Sequence, residues 1–484
     1  MLRIVQQATI PDNEKVYGRA IEEAQLALRR AVAARMPRDA SFGDREVALL
    51  AAANDVCRLE LQTALQAMAD AQPDRVQIDG TGFVCHEAGS AEYHSLCGSL
   101  AVRRATYRKT GERNGPTVVP LELAAGLIEG ATPALAYRVA LGYAQGPGRR
   151  AEEQMHADHR QPPSRSTLER LGKALGTHIT QAAPRLEPLV RAAETLPEEA
   201  HAVSVGLDRT TVPMEEERPA GTPPATRRKR RTAAYVRTPP PPVDVKYRMA
   251  YVGTVSIVDA AGETLVTRRY AISSADEPTT LVGRMMADIR RARAQDPRLP
   301  VSVVQDAAPE LWTLIRGGLK TEARLRRWHE GIDRYHLNER LAEILRITEP
   351  DETRRRQQLA RWNDALDTDD ATIDRIARWI AERIPSYDGE ALATLEAHWT
   401  YLLNNNDRMR YATLRSIGLP CGSGATEGAC KSVVTIRAKG CGQRWHQDGI
   451  TAALTLRTVY LSERLPTLWP HFAADYSADV QAAA

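Results

Sequence analysis

From Pro11 to about Ala71 apolar residues recur every three to four positions, as in "AIEEAQLALRRAVAARM" and "REVALLAAANDVCRLELQTALQAMADA". That spacing predicts two amphipathic helices. The pattern then changes: "GTGFVCHEAGSAEYHSLCGSLAVRRATYRKTG" mixes short β-like runs with Gly, Cys and His. Helical spacing returns in "GATPALAYRVALGYAQ" and "PPSRSTLERLGKALGTHI", each opened by a Pro or Ser/Thr start signal. Past Ala200 the period drops to that of strands. "AVSVGLD" ends in Asp208, and a Pro-rich basic loop, "TPPATRRKRRTAAYVRTPPPP", follows it. Next come "YRMAYVGTVSIVD" and "TLVTRRYAIS", joined by "AAGE", then a helix "PTTLVGRMMADIRRARAQ" and a strand "LPVSVVQD" ending in Asp306. Helices dominate from there to the C-terminus.

These shifts predict an α/β protein with a mostly α-helical N-terminal region. We expect a helical segment over 1–75, and a small β-turn module plus a helical region over 76–200. The two parts of a second domain should fill 201–347 and 406–470 around a helical insertion at 348–405, with a flexible tail at 471–484. The 76–200 helices fit a helix-turn-helix or a plain helical hairpin. In the first of these readings Ser164 and Arg165, at the start of the second helix, are placed to touch phosphates.

Length and composition narrow the class. A chain of 484 residues exceeds one ordinary core, and 43% hydrophobic with 26% charged residues fits a soluble globular protein. The apolar runs are shorter than a membrane span, and "MLRIVQQATIPDNEK" has no apolar signal segment. Six unevenly spaced cysteines make no disulfide framework, so a reducing cytoplasm is expected. Cys85, His94 and Cys97 are zinc-ligating types, but their spacing matches no zinc ribbon, and strand-and-turn roles are expected instead.

Net charge is only +4, yet the cations are clustered. Arg227, Arg228, Lys229, Arg230 and Arg231 are consecutive, and Lys431, Arg437, Lys439 and Arg444 crowd the segment around and beyond Glu427. Such clusters point to a polyanion, nucleic acid first. Against this, a charge run is often a solvated face, and Lys431 stands four residues from Glu427, where an ordinary helix ion pair forms. Trp445 is a candidate for stacking on unpaired bases, with core packing the alternative; Trp312 is expected in the core.

The strand order bears on the acids. In an RNase H-like arrangement the first and fourth strands are neighbours, which brings Asp208 and Asp306 together, and a later helix can lay Glu427 beside them. Like charges at such range oppose ionisation of all three unless a cation intervenes. Mg²⁺ prefers sparse carboxylates, waters and substrate phosphates, and a pair of such ions serves phosphodiester chemistry.

Four stretches carry a resemblance: "VSVGLDRTTVPM", "VVQDAAPELWTLI", "GIDRYHLNERLAEIL" and "CGSGATEGACKSVVTIRAKGCGQRW". In sequence they look like the successive motifs of bacterial insertion-sequence DDE transposases of the ISKra type, distant relatives of Mutator-like and hAT-like elements. The resemblance covers roughly 203–461, and "VRRATYR" and "PPSRSTLERLGKALG" are similar to looser N-terminal features of the family. It implies an RNase H-like catalytic core with a helical insertion, with Asp208, Asp306 and Glu427 as the catalytic and metal-binding acids. Asp333 and His336 match the family's D-x-x-H mark, for which a helix cap and a core histidine are the bland alternatives. Two Mg²⁺ ions are implied, with Mn²⁺ able to substitute, and so is double-stranded DNA as partner, both at inverted-repeat ends and as target. The protein would act as a homodimer or larger assembly on DNA, away from membranes. The chain departs from the pattern at Arg209, where a small residue is usual, and in the length of the Pro-rich insert. The expected activity is DNA cleavage and strand transfer; the rivals are a non-catalytic DNA-binding repressor and a structure-specific nuclease.

Overall fold

The computed structural model describes residues 14–33, 36, 39–218, 243–273, 276–323 and 325–483. The consecutive cations at 227–231 lie outside these residues. The chain is mixed α/β and divides into two compact units, one of Met1–Gly172 with Phe472–Ala484 and one of Lys173–His471. No described helix is long and apolar enough to cross a membrane.

The first unit opens with the two expected helices, Glu14–Ala33 and Phe42–Asp70. Ser41 starts the second: its hydroxyl accepts the Asp44 amide while the Asp44 carboxylate accepts the Ser41 amide, a reciprocal cap. Strands β1 (Arg75–Ile78), β2 (Thr81–Ser95), β3 (Gly98–Lys109) and β4 (Thr117–Val118) form an antiparallel sheet. The segment expected as short β-like runs is therefore one long hairpin. Gln62 and Gln66 of the second helix guard its β3 edge, accepting the amides of Ala101 and Arg103, and Gln66 donates to the Arg103 carbonyl. The tail corrects an expectation. Val480–Ala482 is a strand that pairs antiparallel with β1, because Val480 and Ala478 join the apolar cluster of Val76, Ile78 and Tyr107. A further helix, Gly148–Ala157, separates Pro133–Gln145 from Arg165–Ala193, so the expected helix pair is not contiguous.

The second unit is built on β5 (Ala202–Glu217), β6 (Val243–Val258), β7 (Thr264–Ile272), β8 (Val301–Gln305) and β9 (His329–Ile332), in the order β7-β6-β5-β8-β9. β5, β6 and β7 are antiparallel neighbours, while β8 runs parallel to both β5 and β9. β5 is far longer than its apolar start suggests: it pairs with β6 continuously from Ala202–Val258 to Glu217–Val243. The helix Pro278–Gln295 covers one face with Leu281, Val282, Met285, Met286 and Ile289. The segment 348–405 holds three helices, Glu352–Thr368, Thr372–Ala381 and Gly389–Asn405. Its Trp362, Leu366, Ile376 and Leu395 belong to the same apolar cluster as Val203, Leu207 and Trp312, so it packs into this unit's core.

Candidate functional site

The parallel pairing of β5 with β8 sets the first two acids. Val203 lies opposite Val301 and Val205 opposite Val303, a constant offset of 98 residues. The same offset carried on brings Asp306, the first residue after β8, level with Asp208, which lies midway along β5 (306 − 208 = 98), on neighbouring strands about 4.8 Å apart. Beyond the backbone ladder, the Gln305 side chain accepts the Leu207 amide at 3.1 Å and ties the end of β8 to the middle of β5. The buried Trp312 donates its indole N–H to the Asp306 carbonyl at 2.8 Å and pins the residue from behind. Arg209 projects to the other side, as alternation requires, and pairs with Glu310.

Glu427 comes from the short helix Gly424–Ala429, which continues as a π-helical turn, Cys430–Thr435. This helix can lie on β5 only because residue 206 is glycine: a Cβ there would meet the Thr426 hydroxyl at 2.2 Å and the Val304 carbonyl at 2.9 Å. Thr426 in turn shares a hydrogen bond with Thr254 at 2.7 Å. The Glu427 side chain is 45% exposed, and one of its oxygens lies 3.5 Å from His336 Nε2 and accepts from Ser423 Oγ at 3.1 Å.

Asp333 and His336 open the helix Arg334–Thr348. Asp333 is only 1% exposed and acts as a cap, accepting the amides of Tyr335 at 2.6 Å and His336 at 3.3 Å. It also receives the amide and hydroxyl of Ser423, which ties this helix to the loop before Glu427. Partial burial works to lower the His336 pKa, but the hydrogen bond to Glu339 and the charges of Asp306, Asp333 and Glu427 outweigh it and raise it above the usual value. Burial, reinforced by the neighbouring Asp208 carboxylate, pushes the Cys430 thiol well above its usual range, so it stays protonated beside that acid.

His336 thus senses both Asp306 and Glu427, and Cys430 both Asp208 and Glu427. The acids come from neighbouring elements, yet among the described residues no group of three or more His, Cys, Asp or Glu is placed to hold a metal ion. Asp208 and Asp306 each fold a carboxylate oxygen back to 2.6 Å from the next backbone amide, that of Arg209 and of Ala307. Asp208 and Asp306 have no Lys or Arg ion-pair partner among the described residues, and an all-oxygen acid set of this kind suits a hard divalent cation.

The cations divide. Lys431 is exposed and pairs with no acid among the described residues; the π turn breaks the i, i+4 stacking that a Glu427 pair would need. Lys439 donates to Thr210 on β5. Arg444 is 54% exposed, with Glu215 at 3.8 Å. Arg437 corrects the expectation of a surface cation: it is 3% exposed, its guanidinium 4.9 Å from the Trp445 ring centre. Trp445 is packed against Met214 and Ile450 and donates to the Ala438 carbonyl at 3.0 Å, which favours its core role over base stacking. Arg165 is held by Glu152 through two donors at 2.9 and 3.0 Å, and Ser164 bonds Ser166 and Thr167 within its own helix start. Cys85 and His94 lie nine residues apart on β2, about 30 Å along an extended strand, which separates two of the zinc-type residues.

Sequence reasoning missed Gln305 and Ser423; it placed Trp312 in the core, where it lies, but not its bond to Asp306. No family model matches the chain, and the search of curated proteins found no match.

Proposed function

We propose that this protein is a DNA transposase that cleaves at the ends of its mobile element and joins them to target DNA. The observation that carries the reading is the parallel pairing of β5 with β8, whose offset brings Asp306, just past β8, level with Asp208, with Glu427 and His336 laid beside them. The sheet order β7-β6-β5-β8-β9, three antiparallel strands followed by two parallel ones, is the order an RNase H-like core requires. The helices between Glu352 and Asn405 stand where the family resemblance puts an insertion.

Asp208, Asp306 and Glu427 would hold two Mg²⁺ ions, with Mn²⁺ as substitute. Bound there, the ions would supply Lewis-acid stabilisation to the attacking and leaving oxygens of an in-line displacement. The chain's own residues do the rest. Gln305 and Trp312 hold the two aspartates at one height, so that their carboxylates can face a single phosphodiester. His336, cationic over a wider pH range than an unperturbed imidazole, lies where it can meet a phosphate oxygen or steady Glu427. Lys431 and Arg444 are the exposed cations of this segment for the DNA backbone, where each contact adds sequence-independent affinity. A water attacks first and the freed 3′-hydroxyl attacks second, with no covalent protein intermediate. Two ends must be cut in concert, so the working form is a homodimer or larger assembly on DNA.

A pre-cleaved element-end duplex, incubated with plasmid target and Mg²⁺, tests the reading. Joined product in the wild type and its loss by at least 100-fold in Glu427→Gln, with DNA affinity kept, is the expected result. Cutting without joining would instead make the protein a nuclease, and binding without either would make it a repressor.

A further inference from the structure

Ser423 lies between two carboxylates that belong to different parts of the site. Its hydroxyl is 3.1 Å from Glu427 Oε1, and it also meets Asp333 Oδ2, which takes the Ser423 amide as well. Ser423 is 7% exposed, so water does not freely replace these bonds. A hydroxyl carries one proton and can donate to only one acceptor at a time. Asp333 does not depend on that proton, since it already accepts the amides of Tyr335, His336 and Ser423. Glu427 has far less: among the described residues the Ser423 hydroxyl and the His336 ring lie within reach of its carboxylate.

We propose that Ser423 is the positioning residue for Glu427, its hydroxyl, which Asp333 can spare because three amides already satisfy it, holding that carboxylate for a divalent cation. The inference rests on the acid-site reading above and adds a residue that touches neither DNA nor metal. Asp333 itself acts at one remove, fixing the Ser423 backbone. Ser423 also borders a cavity of about 560 Å³ lined by Ser204, Thr254, Arg334 and Arg415, which leaves room for one added methyl group.

The test compares Ser423→Thr with Ser423→Val, which match in shape and differ in the hydroxyl. Mn²⁺ binding to the DNA-free protein is measured by calorimetry, alongside thermal melts and DNA affinity in EDTA. Outer-shell partners of metal-binding carboxylates typically change affinity by 10–100-fold. The expected result is Mn²⁺ binding at least about 10-fold weaker in Val than in Thr, Thr close to wild type, and equal DNA affinity in EDTA. Ser423→Ala, smaller than either, serves as a second hydroxyl-free variant should Val fail to fold, and the same loss is expected. If the hydroxyl-free variant binds Mn²⁺ as tightly as Thr, the positioning role is wrong while the acid site stands. Should the wild type bind no Mn²⁺, the acid-site reading fails and takes this inference with it.

Discussion

Arg437 and Arg444 are seven residues apart in one basic segment, and their surroundings set them to opposite tasks. Arg437 is buried against the Trp445 ring, where a desolvated cation–π contact contributes about 2 kcal/mol. Arg444 is mostly in water, and Glu215 at 3.8 Å holds it weakly. Arg437→Ala should therefore lower the unfolding free energy by about 2 kcal/mol in a urea titration while leaving the salt slope of DNA binding alone. Arg444→Ala should do the reverse, reducing the slope of log affinity against log salt by about one contact. Equal salt slopes in the two variants would contradict the assignment. Such a difference is invisible in the sequence, where both are arginines near a tryptophan. The same holds for Ser423, Gln305 and Trp312. Ser423 and Gln305 bond partners some 90 to 100 residues away, and Trp312 stands among ordinary helix residues, so no local spacing marks any of the three. Asp208 and Asp306 were legible because each ends an apolar β run, a boundary that the sequence itself displays.

At the level of elements, the seating of one six-residue helix decides where Glu427 points. Gly424–Ala429 is too short to hold itself, so its position comes from contact with β5 and β6. Gly206 supplies the space and the Thr254–Thr426 hydroxyl pair supplies the register. Gly206→Ala would force its Cβ against the Thr426 hydroxyl and the Val304 carbonyl, and a backbone carbonyl cannot rotate away. The expected cost is about 1–3 kcal/mol in denaturant unfolding, together with a loss of strand joining larger than that cost explains, because Glu427 moves with the helix. Activity retained at the wild-type level would show that the helix is not seated this way. Elements whose apolar period was strong, such as β6, β7 and Pro278–Gln295, match their sequence expectation closely. β9 escaped because "HEGI" is four residues without alternation, and the C-terminal strand because its partner β1 lies some 400 residues upstream. The second half of β5 escaped for a related reason: "RTTVPMEEE" is polar, and pairing with β6 rather than its own apolarity keeps it extended.

Over the whole second unit, one buried charge cluster joins elements that are distant in sequence. Asp288, almost fully buried on the helix Pro278–Gln295, accepts from Arg191 at 2.6 Å and from Arg464 at 2.9 Å, and Tyr270 of β7 donates to it. Glu187 and Glu194 take the outer faces of the two arginines. Burial alone would raise the Asp288 pKa, but the two guanidinium charges and the Tyr270 hydroxyl outweigh it and set the folded value below the unfolded one. A depressed folded pKa contributes stability that is complete above the unfolded value, near 4, and is lost as pH falls through the folded value. Asp288→Asn keeps the size but leaves two buried arginines short of charge, so it should cost about 3–5 kcal/mol near neutral pH. It should also remove one source of acid sensitivity. Between about pH 5 and 3 the melting temperature of the variant should fall less steeply than that of the wild type. Parallel acid limbs in the two proteins would mean that Asp288 does not carry this linkage, and that the cluster's role is confined to holding the helix, β7 and the Arg464 segment together.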